Sequence, residues 1–551
     1  EAEQLLQDSG EGWRKEEVEL ADDENRPYHK KVLSFSEKLS DETFRIASKY
    51  LTSEQILSNI QKWIQEERLS FLVQVANRNL PLAEVVDAIR RHHHIAPEGI
   101  ELPPASKRGV QVSLIRRFLS DQPEFINIAK DYIEIDDFYN ILDRIVFPPG
   151  SHGRLGGKST GLFLGHQIIK KSTAPNEDFR NIKVPKTWYL TSDVLFNFLN
   201  HNNLNEVVEQ KYKDINQVRL EYPHIIQTFK NCNFPTEIVQ GLSMILDDFK
   251  DKPIIVRSSS LLEDRAGAAF SGKYKSLFLA NQGSKQERLA ALTDAIAEVY
   301  ASVYGPDPIE YRAERGLLDF VEEMGIMIQE VVGTRIGDYY FPAYAGVIFS
   351  RNEFRWSPRI KQEDGLLRIV PGLGTRAVDR LSNDYPVLVS PGQIGLRVNT
   401  TINEIVRYAP KNMDAINLKT NSFETIEIQE LLKKLGDKIP NVNKIVSLFD
   451  GQVIRAPMGN EIDFEKDDLV VTFEGLLTKT KFIDKLNNFI ALLEEKLGAP
   501  VDIEFASDGH DFYLLQCRSQ SYTEGAEPAY IPKNMPRDRV VFTANRFISN
   551  G

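Results

Sequence analysis

An α/β or α+β body preceded by a small all-helical domain is the fold class the sequence predicts, and three observations carry it. Between about 150 and 350, strand-like apolar runs (Val184 to Leu190, Ile254 to Val256, Gly325 to Val332, Ala345 to Phe349) alternate with helical patterns such as Arg288 to Tyr304. Residues 350 to 520 continue with more strand and turn, ending in the runs 501 to 505 and 512 to 517. From about 40 to 145 the apolar spacing is helical instead, and Pro148-Pro149-Gly150 punctuates the change.

Taken in order, residues 1–27 carry acidic clusters (Glu16, Glu17, Glu19, then Asp22, Asp23, Glu24) without an apolar period and read as a leader or linker. Residues 28–147 make the helical domain, in which Thr52 and Gln55 form a capping-box signature ahead of Ile56, Ile60, Trp63 and Ile64. His92-His93-His94 lies there too. Successive residues on a helix point in three directions and cannot converge on one ion, so a solvated helix end is the better reading. After Gln520, Pro528, Pro532 and Pro536 mark residues 523–551 as a linker leading elsewhere. The chain starts at Glu1 and stops at Asn550-Gly551, so a piece of something longer is expected.

A chain of 551 residues favours three or more domains. Its formal net charge of -12 removes any global electrostatic case for nucleic acid, so an anionic ligand has to be held locally. Cys232 and Cys517 are too few for a disulfide framework or a zinc site. No apolar run approaches the roughly 18 residues of a membrane span. A cytoplasmic setting without membrane or nucleic-acid partners is the expectation.

Three stretches carry chemistry. "GRLGGKSTGLFLGHQII" (153–169) departs from a P-loop, because His152 stands where the first glycine is needed and Gly153 is one place off. A Gly-Gly turn, a cation at Lys158 and a helix start nevertheless favour an anion. In "VRSSSLLEDRAGAAFSGKYKSLFL" (256–279), Arg257 offers a rigid fork of donors at a strand end, Ser258, Ser259 and Ser260 add hydroxyls, and small residues from Ala266 to Gly272 let backbone approach a ligand or move over it. The competing structural reading pairs Arg257 with Glu263 or Asp264. "VDIEFASDGHDFYLLQCRS" (501–519) is a hairpin around Asp508-Gly509. Asp502 and Glu504 share one face and Leu514, Gln516 and Arg518 share one face. In any register without a bulge these sets meet, leaving Val501, Ile503, Phe505, Tyr513 and Leu515 on the other side. Oxygen ligands beside an arginine suit a Mg²⁺-bound phosphate chain, against the alternative of a salt-bridged surface.

Together these segments resemble the ATP-binding domain shared by phosphoenolpyruvate synthase and pyruvate, phosphate dikinase, an ATP-grasp fold, in order from 145 to 520. "LGGKSTGLFLGHQI" with "KVPKTWYLTSDVLFNFL" resembles the family's opening, "VRSSSLLEDRAGAAFSGKYKSLFL" its central signature, "MIQEVV" with "YAGVIFSRN" its adenine hinge and next strand, and "DIEF" with "LLQCR" its closing hairpin. The resemblance implies an α+β ATP-grasp fold, with lobes at 148–350 and 351–522. It implies that Lys158 and Arg257 hold the phosphates of ATP, that Gln329, Glu330 and Val332 meet adenine and ribose, and that Arg312 reaches a phosphate. Asp502 joins the nucleotide set, Glu504 and Gln516 organise Mg²⁺ with it, and Arg518 acts with Arg257 and Lys158 in transfer.

The resemblance also implies phosphotransfer to a histidine and then to pyruvate, on domains for which this chain has no matching segment. A phosphohistidine domain is therefore expected beyond residue 551 or on another chain, and a homo-oligomer is compatible with the sequence. Where the family reads "GLGE", this chain has Thr375 in "GLGTRAVDR", leaving Asp379 or Arg380 to compensate. A dikinase with a glucan or small-molecule acceptor, and a nucleotide-sensing module without turnover, are the alternatives. Glu504→Ala is expected to abolish Mg²⁺-dependent chemistry while leaving the stability of the nucleotide-free protein nearly intact.

Overall fold

The computed structural model describes residues 37–95, 102–172, 182–260, 262, 272–378, 384–458, 462–520 and 535–541. The expected leader, the segment 263–271, Asp379 and Arg380, and most of the Pro-rich linker lie outside the described residues.

The first helices follow their sequence signals. Helix α1 (Glu37–Tyr50) precedes α2 (Ser53–Asn77), which opens on the expected capping box: the Gln55 N–H donates to Thr52 Oγ1 at 3.2 Å and the Thr52 N–H to Gln55 Oε1 at 2.9 Å. Helices α3 (Leu82–Ile95), α4 (Pro104–Phe118), α5 (Pro123–Tyr132) and α6 (Ile135–Tyr139) follow, α4 and α5 each entered through a proline that needs no N–H there. His92 to His94 form the last turn of α3, with the His93 ring stacked on Tyr139. Leu72, Ile89, Leu114, Phe118 and Phe138 are fully buried, but their core is not separate. It runs through Phe163 and Ile168 into the last sheet of the chain, with Phe138 and Phe163 at 5.9 Å between ring centres.

Beyond it run β1 (Ile145–Val146), α7 (Gly157–Ser172), β2 (Ile182–Lys183), β3 (Thr187–Leu190), α8 (Val194–His201), α9 (Ile215–Lys230), α10 (Thr236–Phe249), β4 (Ile254–Ser260), β5 (Ser276–Leu279), α11 (Lys285–Ala301), α12 (Pro306–Glu314) and β6 (Met324–Glu330). A five-stranded sheet, β1-β3-β6-β4-β5, is antiparallel except for the β1–β3 pair. Its helices bury Phe198, Phe229, Leu242, Ile296 and Tyr300 against Ile254, Val256 and Ile326.

After β6 come β7 (Thr334–Ile336), β8 (Tyr339–Phe341), β9 (Tyr344–Phe349), β10 (Leu366–Val370), α13 (Thr375–Val378), β11 (Val387–Val389), α14 (Ile402–Tyr408), β12 (Asn412–Asn417), β13 (Ser422–Glu427), α15 (Ile428–Leu435), α16 (Val442–Ile445), β14 (Val446–Phe449), β15 (Ile454–Arg455), β16 (Asp468–Val471), α17 (Glu474–Lys479), α18 (Phe482–Leu497), β17 (Val501–Ser507) and β18 (Phe512–Ser519). They build a six-stranded sheet, β11-β10-β9-β17-β18-β2, a four-stranded sheet, β13-β12-β8-β7, and a three-stranded sheet, β15-β14-β16. The chain is α+β, and no sheet among the described residues closes into a barrel.

The expected lobe limit at 350 is corrected by the pairing. β9 lies between β10 and β17, and β2 lies beside β18, so the passage from the first sheet to the second falls just after Glu330. An apolar run such as Ala345 to Phe349 announces a strand without saying which sheet accepts it. Gly333, at φ 152°, makes the break: a Cβ there would stand 2.4 Å from the Phe341 carbonyl carbon.

Candidate nucleotide site

The turn before α7 is pressed against β4. Gly156 has φ 83°, and a Cβ on it would lie 1.7 Å from the Ser259 carbonyl oxygen, so only glycine fits. That contact puts the Ser159 N–H on Ser259 Oγ at 3.1 Å and the buried Lys158 Nζ on Ser258 Oγ at 3.0 Å. Two of the serines thus fasten α7 to the strand. Gly161 lets the same helix meet β18, where a Cβ would stand 2.2 Å from the Cys517 carbonyl oxygen. The Gly-Gly-Lys helix is therefore wedged between one strand of each large sheet.

β17 and β18 pair with Asp502 opposite Arg518 and Glu504 opposite Gln516, then shift register after Glu504. The bulge corrects part of the facial assignment. Leu514 pairs with Phe505 and joins the core of Val501 and Ile503, whereas Leu515 and Tyr513 pack with Val332, Ala345 and Ala506 on the other face. The polar pairs lie beyond the bulge, away from the turn, and the register shift is what sets Asp502 and Glu504 opposite Arg518 and Gln516.

Arg257 reaches this hairpin from β4. Its Nη2 donates to Glu504 Oε2 and, at 2.8 Å, to Gln516 Oε1, and its Nη1 donates to the Leu515 carbonyl at 3.3 Å. The alternative partners Glu263 and Asp264 lie outside the described residues. Burial works against ionisation of Glu504, but Arg257, Arg518 and Lys158 outweigh it and hold its carboxyl below the usual range. Burial pushes Asp502 up despite the Arg518 guanidinium, whose Nε donates to Asp502 Oδ2 at 2.8 Å. Since part-buried Glu504 is the carboxylate paired with the buried Arg257, its truncation strands a buried arginine. The expectation of unchanged stability for Glu504→Ala is therefore replaced by a loss of about 3–5 kcal/mol.

Between the two sheets lies a cleft of ≈ 430 Å³. Lys158, Arg257 and Glu504 line one end; Gln329, Glu330 and Val332 line it with Ile255, Phe278, Ala345, Leu373 and Leu515. This is a charged end joined to an apolar slot, the two environments a phosphate chain and a flat base require. Gln329 donates to Thr187 Oγ1 at 3.1 Å, Glu330 is ion-paired to Lys252, and Tyr340 donates to the Val331 carbonyl at 3.2 Å. Asp502, Gln516 and Arg518 stand behind the charged end on the hairpin, outside the cleft wall. Arg312 is also outside it: 2% exposed, it donates to the Val303 carbonyl at 2.8 Å and lies 3.8 Å from Glu322, which in turn bonds Ser260.

Glu504 Oε2 and Gln516 Oε1 already converge on a single cationic nitrogen, with Asp502 two pairs further along the hairpin. Hard oxygen donors so arranged fit Mg²⁺. The described residues hold no group of three or more His, Cys, Asp or Glu able to enclose a metal.

Sequence reasoning missed Asp414. This buried β12 carboxylate accepts from Thr375 Oγ1 at 2.5 Å, from Arg376 Nε at 3.1 Å and from Thr425 Oγ1 at 2.7 Å, and so ties down the Gly-Leu-Gly-Thr turn that lines the cleft. An aspartate inside the buried run Met413 to Asn417 was the available signal. Asp379 and Arg380, the proposed compensators for Thr375, lie outside the described residues.

Residues 152–539 match the family described as the pyruvate phosphate dikinase AMP/ATP-binding domain. The chain belongs to that family. Among curated relatives, phosphoenolpyruvate synthase of Pseudomonas aeruginosa is 22% identical over 396 residues, covering 70% of this chain and 42% of the relative. Phosphoenolpyruvate synthase of Escherichia coli is 25% identical over 379 residues, covering 67% and 40%. An uncharacterized phosphotransferase of Bacillus subtilis, YvkC, is 24% identical over 337 residues, covering 61% and 31%. The chain thus spans about two fifths or less of the length of these relatives. No helix among the described residues is long and apolar enough to cross a membrane.

Proposed function

We propose that this chain is the ATP-binding, transfer-initiating part of a phosphoenolpyruvate synthase-like phosphotransferase of ATP-grasp fold. The observation that carries the proposal is the convergence of Lys158, Arg257 and Glu504 at one end of an apolar cleft. ATP would seat its base against Val332, Ala345 and Leu515, beside Gln329 and Glu330, and its phosphates against Lys158 and Arg257. Glu504, Gln516 and Asp502 would hold Mg²⁺, which when bound neutralises phosphate oxygens.

A histidine on a further domain, beyond residue 551 or in another chain, would attack the β-phosphorus. The bond to the oxygen bridging the α-phosphate breaks, and AMP leaves with that oxygen. The γ-phosphate passes to water as phosphate, and the phosphoryl group left on histidine passes to the enolate oxygen of pyruvate, whose methyl carbon has lost a proton. This chain's own contribution is positioning and charge: Arg257 is held by Glu504 and Gln516 and Lys158 by Ser258 before substrate arrives, and Arg518 stands two residue pairs further along the hairpin. The test is AMP formation from MgATP with the residues following 551 restored, with and without pyruvate. Pyruvate-dependent AMP with phosphoenolpyruvate as product supports the reading; nucleotide binding without AMP under either condition overturns it.

A further inference from the structure

The six-stranded sheet presents a second cavity on the face turned away from the nucleotide cleft. On β9 and β17, Ala345 and Ala506 are cross-strand partners and line the cleft. The next residue on each strand, Tyr344 and Ser507, are partners too, and by the alternation of a strand they face the other way, into a cavity of ≈ 360 Å³. Its floor is aromatic: Tyr344 meets Phe482 edge-on at 5.7 Å, and Phe489 meets Phe512 at 6.0 Å. Its rim is cationic, with Lys444, Lys481 and Lys485, and His510 in the hairpin turn.

The charges on this rim are not explained by the fold. Asp511, the acidic residue of the wall, is ion-paired at 2.5 Å to Lys183 instead. The ammonium groups of Lys444, Lys481 and Lys485 have no hydrogen-bond or ion-pair partner among the described residues. Lys481 and Lys485 moreover stand at the start of α18, with Asp484 the one acidic residue of its first turn. Positive charge there is opposed by the helix dipole and by its neighbours unless an anion joins it. In a chain of net charge -12, a convergence of cations over an aromatic floor is a feature with a cost and no structural use.

We propose that this cavity binds a small organic anion, a phosphate or carboxylate carried on a planar or aliphatic body, separate from the nucleotide cleft. The body lies against Phe482, Phe489 and Phe512, and the charged group meets the lysine rim. The proposal does not depend on the reading of the cleft.

The test titrates three probes into the full chain by calorimetry: phenyl phosphate, inorganic phosphate and phenol, which carry both features, charge alone and body alone. Saturable one-site binding of phenyl phosphate is expected, about tenfold or more tighter than either part. Because Lys481 and Lys485 are exposed, the double variant Lys481→Gln/Lys485→Gln keeps its fold, and phenyl phosphate should bind it about tenfold more weakly. Saturating ATP should leave phenyl phosphate binding unchanged. Absence of saturable binding, equal affinity in the double variant, or displacement by ATP each overturns the proposal.

Discussion

Gly156 is where the sequence, the fold and the site meet most tightly, and Gly156→Ala should break all three. The added Cβ begins 1.7 Å from the Ser259 carbonyl oxygen, and ordinary contact starts at 3.4 Å, so the separation has to double. Neither partner can yield by turning a side chain, because both are backbone, and Ser259 lies within the hydrogen-bonded run of β4. Positive φ for alanine costs about 1 kcal/mol and the overpacking about 1–3 kcal/mol more. Displacing the turn carries Lys158 away from Ser258; losing one charge-assisted contact to phosphate costs about 1.5–3 kcal/mol, or about ten- to hundredfold in Kd for ATP. Gly150→Ala is the matched control, since Gly150 has φ 71° with nothing within 4 Å of the added carbon. Urea denaturation and calorimetric ATP titration of both variants separate backbone strain from displacement. Equal stability losses in the two, with ATP affinity unchanged in Gly156→Ala, would refute the wedge.

Glu504→Ala should lower stability by about 3–5 kcal/mol at pH 7, because Arg257 is left buried without its carboxylate. The folded pKa of Glu504 lies below its ordinary 4.5, so this contribution is present above that pH and is lost as pH falls through the lowered value. The gap between wild type and variant, read from urea curves, should therefore narrow in acid; a constant gap would contradict the pairing. Thr375→Glu, which restores the family's acidic residue, should destabilise by about 1–3 kcal/mol by setting a carboxylate against Asp414, measured the same way. A chain starting at residue 148 should fail to give a cooperative unfolding transition, since the helices before it share a core with Phe163 and Ile168. A sharp transition with unchanged ATP affinity would show that the helical segment is separable.

Much of the site was legible because its determinants are local. The β17–β18 hairpin follows from alternation around Asp508-Gly509, and so does the placing of Asp502 with Glu504, and of Gln516 with Arg518, on one face of each strand. The bulge after Glu504 was not legible: it adds a residue without marking the sequence, and it sends Leu514 and Leu515 to faces opposite to those expected. Arg257 reads in the sequence as a candidate phosphate ligand at a strand end, whereas β4 runs on to Ser260 and places it in mid-strand; its partners Glu504 and Gln516 are far away in sequence and appear only when the sheets face each other. Arg312 shows the opposite failure, because a short motif named a residue whose surroundings, Glu322 and the Val303 carbonyl, already occupy it. The helical domain was legible as helices and not as part of a larger core, since amphipathic spacing tells which face is buried and never against what.

Titration of MgATP into the chain and into Lys158→Ala tests the central claim most directly. One binding site that requires Mg²⁺ and is lost in Lys158→Ala, with the unfolding transition retained, is the predicted result. No saturable binding in the unaltered chain, or equal affinity in Lys158→Ala, would contradict the assignment of the cleft to the phosphates of ATP.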